Sequence, residues 1–509
     1  MKTPHSSLPA LYTAAQCREL DRLAIHDHGM PGFELMQRAG RAAFVELLHR
    51  WPEARRVAVC CGKGNNAGDG YILAGLAREG GFDVVLWQLG DPGELAGDAA
   101  RARDWAGERG VAPQAGPPAS ISADVVVDAL LGTGLKGPLR GAFADSAANI
   151  NRSGVPVLAI DLPTGISADT GAAPGEAVRA SATVCFIGRK LGLYTGAGVS
   201  HAGDVIFRDL GVPSAVYRAV SGCPWLSYPQ LPEAYRTRRR EADAYKHALG
   251  HVVVVGGDHS MGGATLMAAE AALRVGAGMV SVVTRAEHRP AILARRPEVM
   301  VVDADDADAR RAVFGKARCL VVGPGLGQQP WGRSLFDEAL STGLPTVLDA
   351  DGLNNLATLS VALQGPVIIT PHVAEAARLL GSDVAAVQSD RPAAALALAR
   401  LVRGVAVLKG AGSLIAAADD GADDRAELLG VCAHGNPGMA SAGMGDVLSG
   451  IIAGLLAQAL TPEAAAAAGT CLHSFAADRA VAAVGQRSLL AMDLLHPMID
   501  ILAAEEHQR

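Results

Sequence analysis

The chain reads as an α/β protein of two tandem domains, and three observations predict this. Its 509 residues exceed what one hydrophobic core serves, at roughly 100–200 residues per domain. Short β-branched runs alternate with glycine-rich turns and alanine- and leucine-rich helical stretches, the pattern of buried parallel strands joined by helices. That alternation starts twice, from about residue 55 and again from about residue 250.

In the first half the strand-like runs are RRVAVCC (55–61), FDVVLWQLG (82–90), ADVVVDALLG (123–132), VPVLAIDLP (155–163) and ATVCFIG (182–188). The second half repeats the form with GHVVVVGG (250–257), GMVSVVT (278–284), ARCLVVGPG (317–325), LPTVLDADG (344–352), GPVIITPH (365–372) and GVAVLKGAG (404–412). Between them the text turns proline-rich and aperiodic, which predicts a first domain over 1–215, a linker over 216–240 and a second domain over 241–509. The linker's Arg236, Arg238, Arg239 and Arg240 read as a solvated face rather than a phosphate site. The acidic run DADDADAR (303–310) lacks metal-loop spacing and reads as a loop, while PEAAAAAG (462–469) reads as helix.

Composition narrows the function classes. Half the residues are hydrophobic, 19% are charged and the net charge is −7, which excludes a disordered chain and a general basic nucleic-acid binder. Eight cysteines without a CxxC pair suit a reduced compartment. The N-terminus has no secretory h-region, and no apolar stretch reaches membrane-spanning length, so a cytoplasmic protein with neither membrane nor nucleic-acid partner is expected. Only seven of the 45 basic residues are lysines, and four of them (Lys63, Lys136, Lys246, Lys409) fall in or beside glycine loops.

Directly after RRVAVCC stands Gly62-Lys63-Gly64-Asn65-Asn66-Ala67-Gly68-Asp69-Gly70, then a helical run. A strand, a glycine turn and a helix N-terminus make an anion site, because backbone N–H groups face the ligand there. Two asparagines and an aspartate add groups for ribose hydroxyls or a cation, although such residues are also ordinary turn formers. Two later strands end alike: Asp128 leads into Gly132-Thr133-Gly134-Leu135-Lys136-Gly137-Pro138, and Asp161 leads into Pro163-Thr164-Gly165. Ligands of open parallel sheets lie at the carboxyl ends of the strands, so the three loops can share one crevice.

GKGNNAGDGY, VDALLGTGLKG and AIDLPTGI resemble the motifs of the NAD(P)H-hydrate epimerase (YjeF N-terminal) family, with ELMQRAGRAA matching its opening helix. The resemblance implies a Rossmann-like three-layer α/β fold and epimerisation, at C6 of the nicotinamide ring, of hydrated NADH and NADPH. It implies that Asn65, Asn66, Ala67, Gly68, Asp69, Gly132, Thr133, Gly134, Leu135, Lys136, Gly137, Pro138 and Asp161 bind the hydrate. Asp161 and Lys136 are the implied catalytic groups, and Asn66, Asp128 and Thr164 the implied potassium ligands. Ala67 stands where the family has glycine, and Thr164 replaces a serine but keeps its hydroxyl.

The most informative stretch of the second half is Asn436 to Gly450, which carries Gly443-Met444-Gly445-Asp446 into an apolar helix. A helix N-terminus supplies backbone donors for phosphoryl charge, and a carboxylate beside them can take a proton from an attacking hydroxyl. Aspartate is also simply favourable at that end of a helix dipole. Four more strand ends carry glycine or polar loops: Lys409-Gly410-Ala411-Gly412-Ser413, Gly323 to Gly327, Asp349 to Asn354, and Thr370-Pro371-His372 with Glu375.

GGDHSMGGATLMAAEAALRVGAGMVSVVT, VVGPGLGQ, LDADGLN, ITPHVAE, LKGAGS and GMASAGMGDVLSGIIAGLLAQ resemble, block by block, the ribokinase-like NAD(P)H-hydrate dehydratase family. This implies a ribokinase-like α/β domain with a mostly parallel sheet. Ala264, Gly325, His372 and Asp446 are the implied hydrate contacts, Asp446 being catalytic. Lys409, Gly410, Ala411, Gly412, Ser413 and Gly445 are implied to bind ADP as co-substrate, with Mg2+ accompanying it. The tandem resembles the bifunctional hydrate repair enzymes, which implies K+ dependence and a homo-oligomer, with NADHX, NADPHX and ADP as small-molecule partners. A ribokinase-type kinase with an accessory domain, and a non-catalytic nucleotide sensor, remain alternatives at this point.

Overall fold

A computed structural model describes residues 8–116, 120–135, 137–237, 240–358, 363–419 and 425–508. The described chain divides into two compact units, residues 10–223 and residues 224–508 with Leu8 and Pro9. Each is mixed α/β around a largely parallel sheet.

The first unit's sheet has seven strands, in the spatial order Pro113–Ala115, Asp83–Gln88, Arg56–Cys61, Val125–Ala129, Val157–Ile160, Ala182–Phe186 and Asp204–Arg208, all parallel. Alternate side chains of the central strands enter two separate hydrophobic layers. Val57, Val59 and Val127 pack with the helices Gly32–Arg50 and Asn65–Glu79, while Ala58, Cys60 and Val126 pack with Ala147 and Ile150 of the helix Ala142–Ser153. This is a three-layer architecture with period-2 strands.

The second unit begins the same way. Met300–Asp303, Met279–Thr284, His251–Val255, Cys319–Val322, Thr346–Leu348, Val367–Ile369 and Val405–Leu408 lie side by side in parallel. An antiparallel meander, Leu414–Ala418 and Ala426–Cys432, extends it. In both sheets chain order reverses beside one strand, Arg56–Cys61 in the first and His251–Val255 in the second, and such switch points leave a crevice above the strand ends. Glycine makes both crevices possible. A side chain on Gly62 would collide with the Leu130 carbonyl oxygen, and one on Gly256 with the Pro324 carbonyl oxygen.

The eleven sequence runs all form strands, and the strands Pro113–Ala115, Asp204–Arg208, Met300–Asp303, Leu414–Ala418 and Ala426–Cys432 are additions. The run 303–310 differs from the expected loop: Asp306 caps the helix Ala307–Phe314 by accepting from Ala309 N–H at 3.0 Å. The stretch 216–240, expected as a linker, carries a strand residue pair, Trp225 and Leu226, beside Val431 and Cys432. Its Leu226, Tyr228, Leu231 and Tyr235 are buried in the second unit's core. Arg236 there is bonded to Glu505 at 2.5 Å rather than solvated, and Arg240 donates to the Gly276 carbonyl at 3.1 Å; Arg238 and Arg239 lie outside the described residues. No described helix is long and apolar enough to cross a membrane.

Candidate active sites

In the first unit the loops after Arg56–Cys61, Val125–Ala129 and Val157–Ile160 meet at the switch point. Asn65, Asn66, Ala67, Gly68 and Asp69 form the first turn of the helix Asn65–Glu79, with Gly64 as its cap. Asn66 is buried, and neither atom of its amide has a hydrogen-bond partner among the described residues. A side chain on Gly132 would start 3.6 Å from Asn66 Oδ1 and 3.5 Å from Asp161 Oδ2, so those three residues border one small space. Gly134 and Gly137 face open space, whereas Pro138 packs against Gly175; Lys136 lies outside the described residues.

Asp128 is fully buried and accepts from Thr164 N–H at 2.8 Å, Thr164 Oγ1–H at 2.7 Å and Leu130 N–H at 3.2 Å. Burial pushes its carboxyl up to about 6 against the pull of those hydrogen bonds. Thr164 Oγ1 also accepts from Leu131 N–H at 3.0 Å, which ties two of the loops together.

Asp161 has φ +67°, a strained backbone for a residue with a side chain. Its Oδ1 receives the ammonium of Lys190 and the Phe186 N–H at 3.2 Å, and Lys190 also donates to the Phe186 carbonyl at 2.9 Å. Lys190 is 3% exposed, and it was not among the expected site residues. Its one sequence signal is a rare lysine immediately beyond the run ATVCFIG.

The second unit's site gathers four strand ends. Asp446 lies in the first turn of Met444–Ala457, whose cap Gly443 adopts φ +87°, a left-handed conformation that suits glycine. A side chain on Gly445 would start 2.9 Å from Asp349 Oδ2 and 3.1 Å from Lys409 Nζ. Lys409 Nζ donates to Asp349 Oδ1 at 2.7 Å and lies 4.0 Å from Glu375 Oε2. Its ammonium therefore serves the carboxylate cluster, while Ser413 closes the glycine loop by donating to the Gly410 carbonyl at 3.1 Å. Burial, with Asp349 adding to it, pushes Asp446 up to about 7.

His372 caps the helix Val373–Leu379. Its Nδ1 accepts from Ala374 N–H at 3.1 Å and Glu375 N–H at 3.3 Å, while Nε2 lies 3.4 Å from Glu375 Oε1. Gly325 abuts Met261, the residue before the helix Gly262–Arg274, and Ala264 sits in that helix's first turn. Asp258 N–H donates to the Gly325 carbonyl at 2.7 Å, and Gly327 N–H to Asp351 Oδ2 at 2.9 Å. Asp351 in turn acts electrostatically on Asp446, so these loops border one site.

Two further groups escaped sequence reasoning. The buried Arg391 guanidinium donates to the Leu408 and Lys409 carbonyls, both at 3.3 Å, directly behind Gly410. His473 bonds the Met444 backbone, and burial and Lys409 push it down to about 4, so its ring is neutral. Neither has a local motif. Each sits inside a helix, and only packing brings it to the loops.

Comparison with known proteins gives two family matches: the model described as NAD(P)H-hydrate dehydratase over residues 252–499, and that of the YjeF-related protein N-terminus over 32–192. The bifunctional NAD(P)H-hydrate repair enzyme of Coxiella burnetii is 46% identical over 493 residues, covering 96% of this chain and 98% of the relative. Its Escherichia coli counterpart is 41% identical over 505 residues, covering 99% and 96%. Among solved structures, a ribokinase-like superfamily protein from Enterococcus faecalis matches at TM-score 0.50 and 28% identity, covering 55% of this chain and 95% of that one.

Proposed function

The chain belongs to the bifunctional NAD(P)H-hydrate repair enzymes, and from that premise we propose how its two sites divide the work. The first unit epimerises the R and S hydrates, with Asp161 handling protons at C6 and the 65–69 and 132–138 loops, Lys136 included, holding the hydrate. The second unit dehydrates the S hydrate at the expense of ADP, giving NAD(P)H, AMP and phosphate. The observation that carries the second assignment is Asp446 at a helix N-terminus, beside Asp349 and Lys409. Asp446 accepts the C6 hydroxyl proton, the β-phosphoryl group moves from ADP to that oxygen, the N1 lone pair expels phosphate from C6 as an iminium forms, and a C5 proton then passes to the departing phosphate as its C–H electron pair re-forms the ring double bond. Phosphorylation converts a poor leaving group into a good one, and N–H donors at the Gly445 turn face the charge that develops.

Ala264, Gly325 and His372 hold the hydrate, and the Lys409 to Ser413 loop with Gly445 holds the nucleotide. Mg2+ is read as arriving with ADP, whose phosphoryl transfer it would assist. K+ suits the first unit: Asn66 Oδ1 is a buried acceptor without a partner among the described residues, and with Asp128 and Thr164 it offers a set of hard oxygen donors. A cation bound there would offset the buried Asp128 charge. The eight free cysteines suit action in the cytoplasm, and a homo-oligomer is the expected assembly.

The test mixes purified protein with R and S NADH hydrates in K+ or Na+ buffer, adding ADP, ATP or neither, and follows NADH absorbance. Full recovery of both epimers with ADP is expected, with faster clearance of the R form in K+. Asp161→Ala is expected to strand the R hydrate while the S hydrate still recovers. Absence of recovery under every condition would leave a ribokinase-type kinase or a non-catalytic nucleotide sensor instead.

The same assay carries a pH signature. A protonated Asp446 accepts no proton, and its carboxyl titrates near 7. Dehydration of the S hydrate, as kcat/KM, therefore rises as pH climbs through about 7 and levels above it. A flat profile from pH 6 to 8 would remove Asp446 from the role of base.

A further inference from the structure

The Asp161 site contains more ionisable groups than its assigned role uses. Around the buried Lys190 ammonium stand the carboxyls of Asp161, Asp69 and Asp21 and the thiols of Cys17 and Cys185. Asp161 Oδ1 is doubly engaged, by Lys190 and by Phe186 N–H, while Oδ2 faces the space beside Gly132 and the Asn66 amide. Asp69 follows Asn66 by three residues in the helix Asn65–Glu79, and residues so spaced share a face.

We propose that these residues form a split acid–base pair, in which Lys190 holds Asp161 as the proton acceptor with Oδ2 free to work, and Asp69 is the proton donor. This rests on the epimerase reading of the first unit. The two carboxyls have unequal surroundings, which is how one site supplies an acid and a base together. Asp161 owns the ion pair with Lys190, whereas burial, Asp161 and Asp21 push Asp69 well above the carboxylate range.

The step balances without a co-reactant. Asp161 Oδ2 takes the C6 hydroxyl proton, the O–H electron pair becomes the C=O bond of an aldehyde, and the C6–N1 bond breaks. Its electron pair goes to N1, which takes the proton of Asp69. Rotation about C5–C6 presents the other aldehyde face, and N1 returns its proton to Asp69 as C6–N1 re-forms. The alkoxide recovers its proton from Asp161, so both carboxyls end as they began.

The experiment follows epimerisation without nucleotide, by chromatography of the hydrates, from pH 5 to 9 in the full chain. Asp69→Asn is expected to lower kcat by about 10²-fold or more with little change in KM. Lys190→Met is expected to move the acidic limb of the profile upward by about one pH unit or more, and Lys190→Arg to restore most of it. In H₂¹⁸O the inverted product is expected to keep its original C6 oxygen. Near-native circular dichroism and an unchanged melting transition of the same samples report that the first unit is folded.

Epimerisation unimpaired in Asp69→Asn, an acidic limb unmoved in Lys190→Met, or one solvent oxygen gained per inversion would each overturn the proposal. If Lys190→Met fails to fold, Asp69→Asn and the isotope result decide. Asp161→Asn separates the two levels. Its retention of activity would sink the epimerase assignment of this site, whereas its loss beside an active Asp69→Asn would sink only the acid–base pair.

Discussion

Asp446→Asn is expected to lower ADP-dependent dehydration of the S hydrate by about 10²–10⁴-fold, the usual contribution of a positioned general base, and to leave epimerisation unchanged. The amide keeps the size of the carboxyl and its place in the first turn of Met444–Ala457, so the helix and the nucleotide loop persist. What disappears is a proton acceptor that burial and Asp349 hold near neutrality. KM for ADP should move little, because the loss lies in the chemical step. Near-normal turnover in this variant would show that the hydroxyl proton goes elsewhere.

The second large effect is on stability. Lys409→Met leaves Asp349, 2% exposed, without its ammonium at 2.7 Å. Breaking a buried ion pair from one side costs about 3–5 kcal/mol, since the remaining charge stays uncompensated. For a unit of this size that lowers the melting transition by roughly 5–15 °C. The sign with pH follows from the neighbours. Burial already raises Glu375 and Asp446, and removal of Lys409 takes away a charge that lowers both. These carboxyls then take up protons at low pH and relieve the repulsion, so the deficit is smaller at pH 5 than at pH 8. Lys409→Arg should recover only part of the loss, because a planar fork replaces a compact ammonium in a space bounded by Gly445. An unchanged melting temperature in Lys409→Met would show that the pair contributes little.

The fold was legible in the chain to the extent that its signals are local. Runs such as VAVCC and VVVV are apolar throughout because parallel strands are covered on both faces, and each ends in a glycine loop readable from a few residues. Strands without that signature were not legible. Pro113–Ala115 is three residues with two of them exposed, and Asp204–Arg208 has no fully buried residue. The segment around Leu226 to Tyr235 looked like a linker because its buried residues follow neither a strand nor a helix period.

The sites divide in the same way. Sequence by itself determined the loops and the residue types they carry: tandem asparagines, Gly-Met-Gly-Asp, and lysines kept in a chain that otherwise uses arginine. Tertiary structure decided which charges meet. Lys190 reaches Asp161 across 29 residues and Lys409 reaches Asp349 across 60, each pairing between ends of different strands. Such partners depend on strand order, and strand order is set by how whole helices cover a sheet, which no window of neighbouring residues records. The scarcity of lysine pointed toward the sites. Packing alone singled out Lys190, and it turned the Lys409 ammonium toward Asp349.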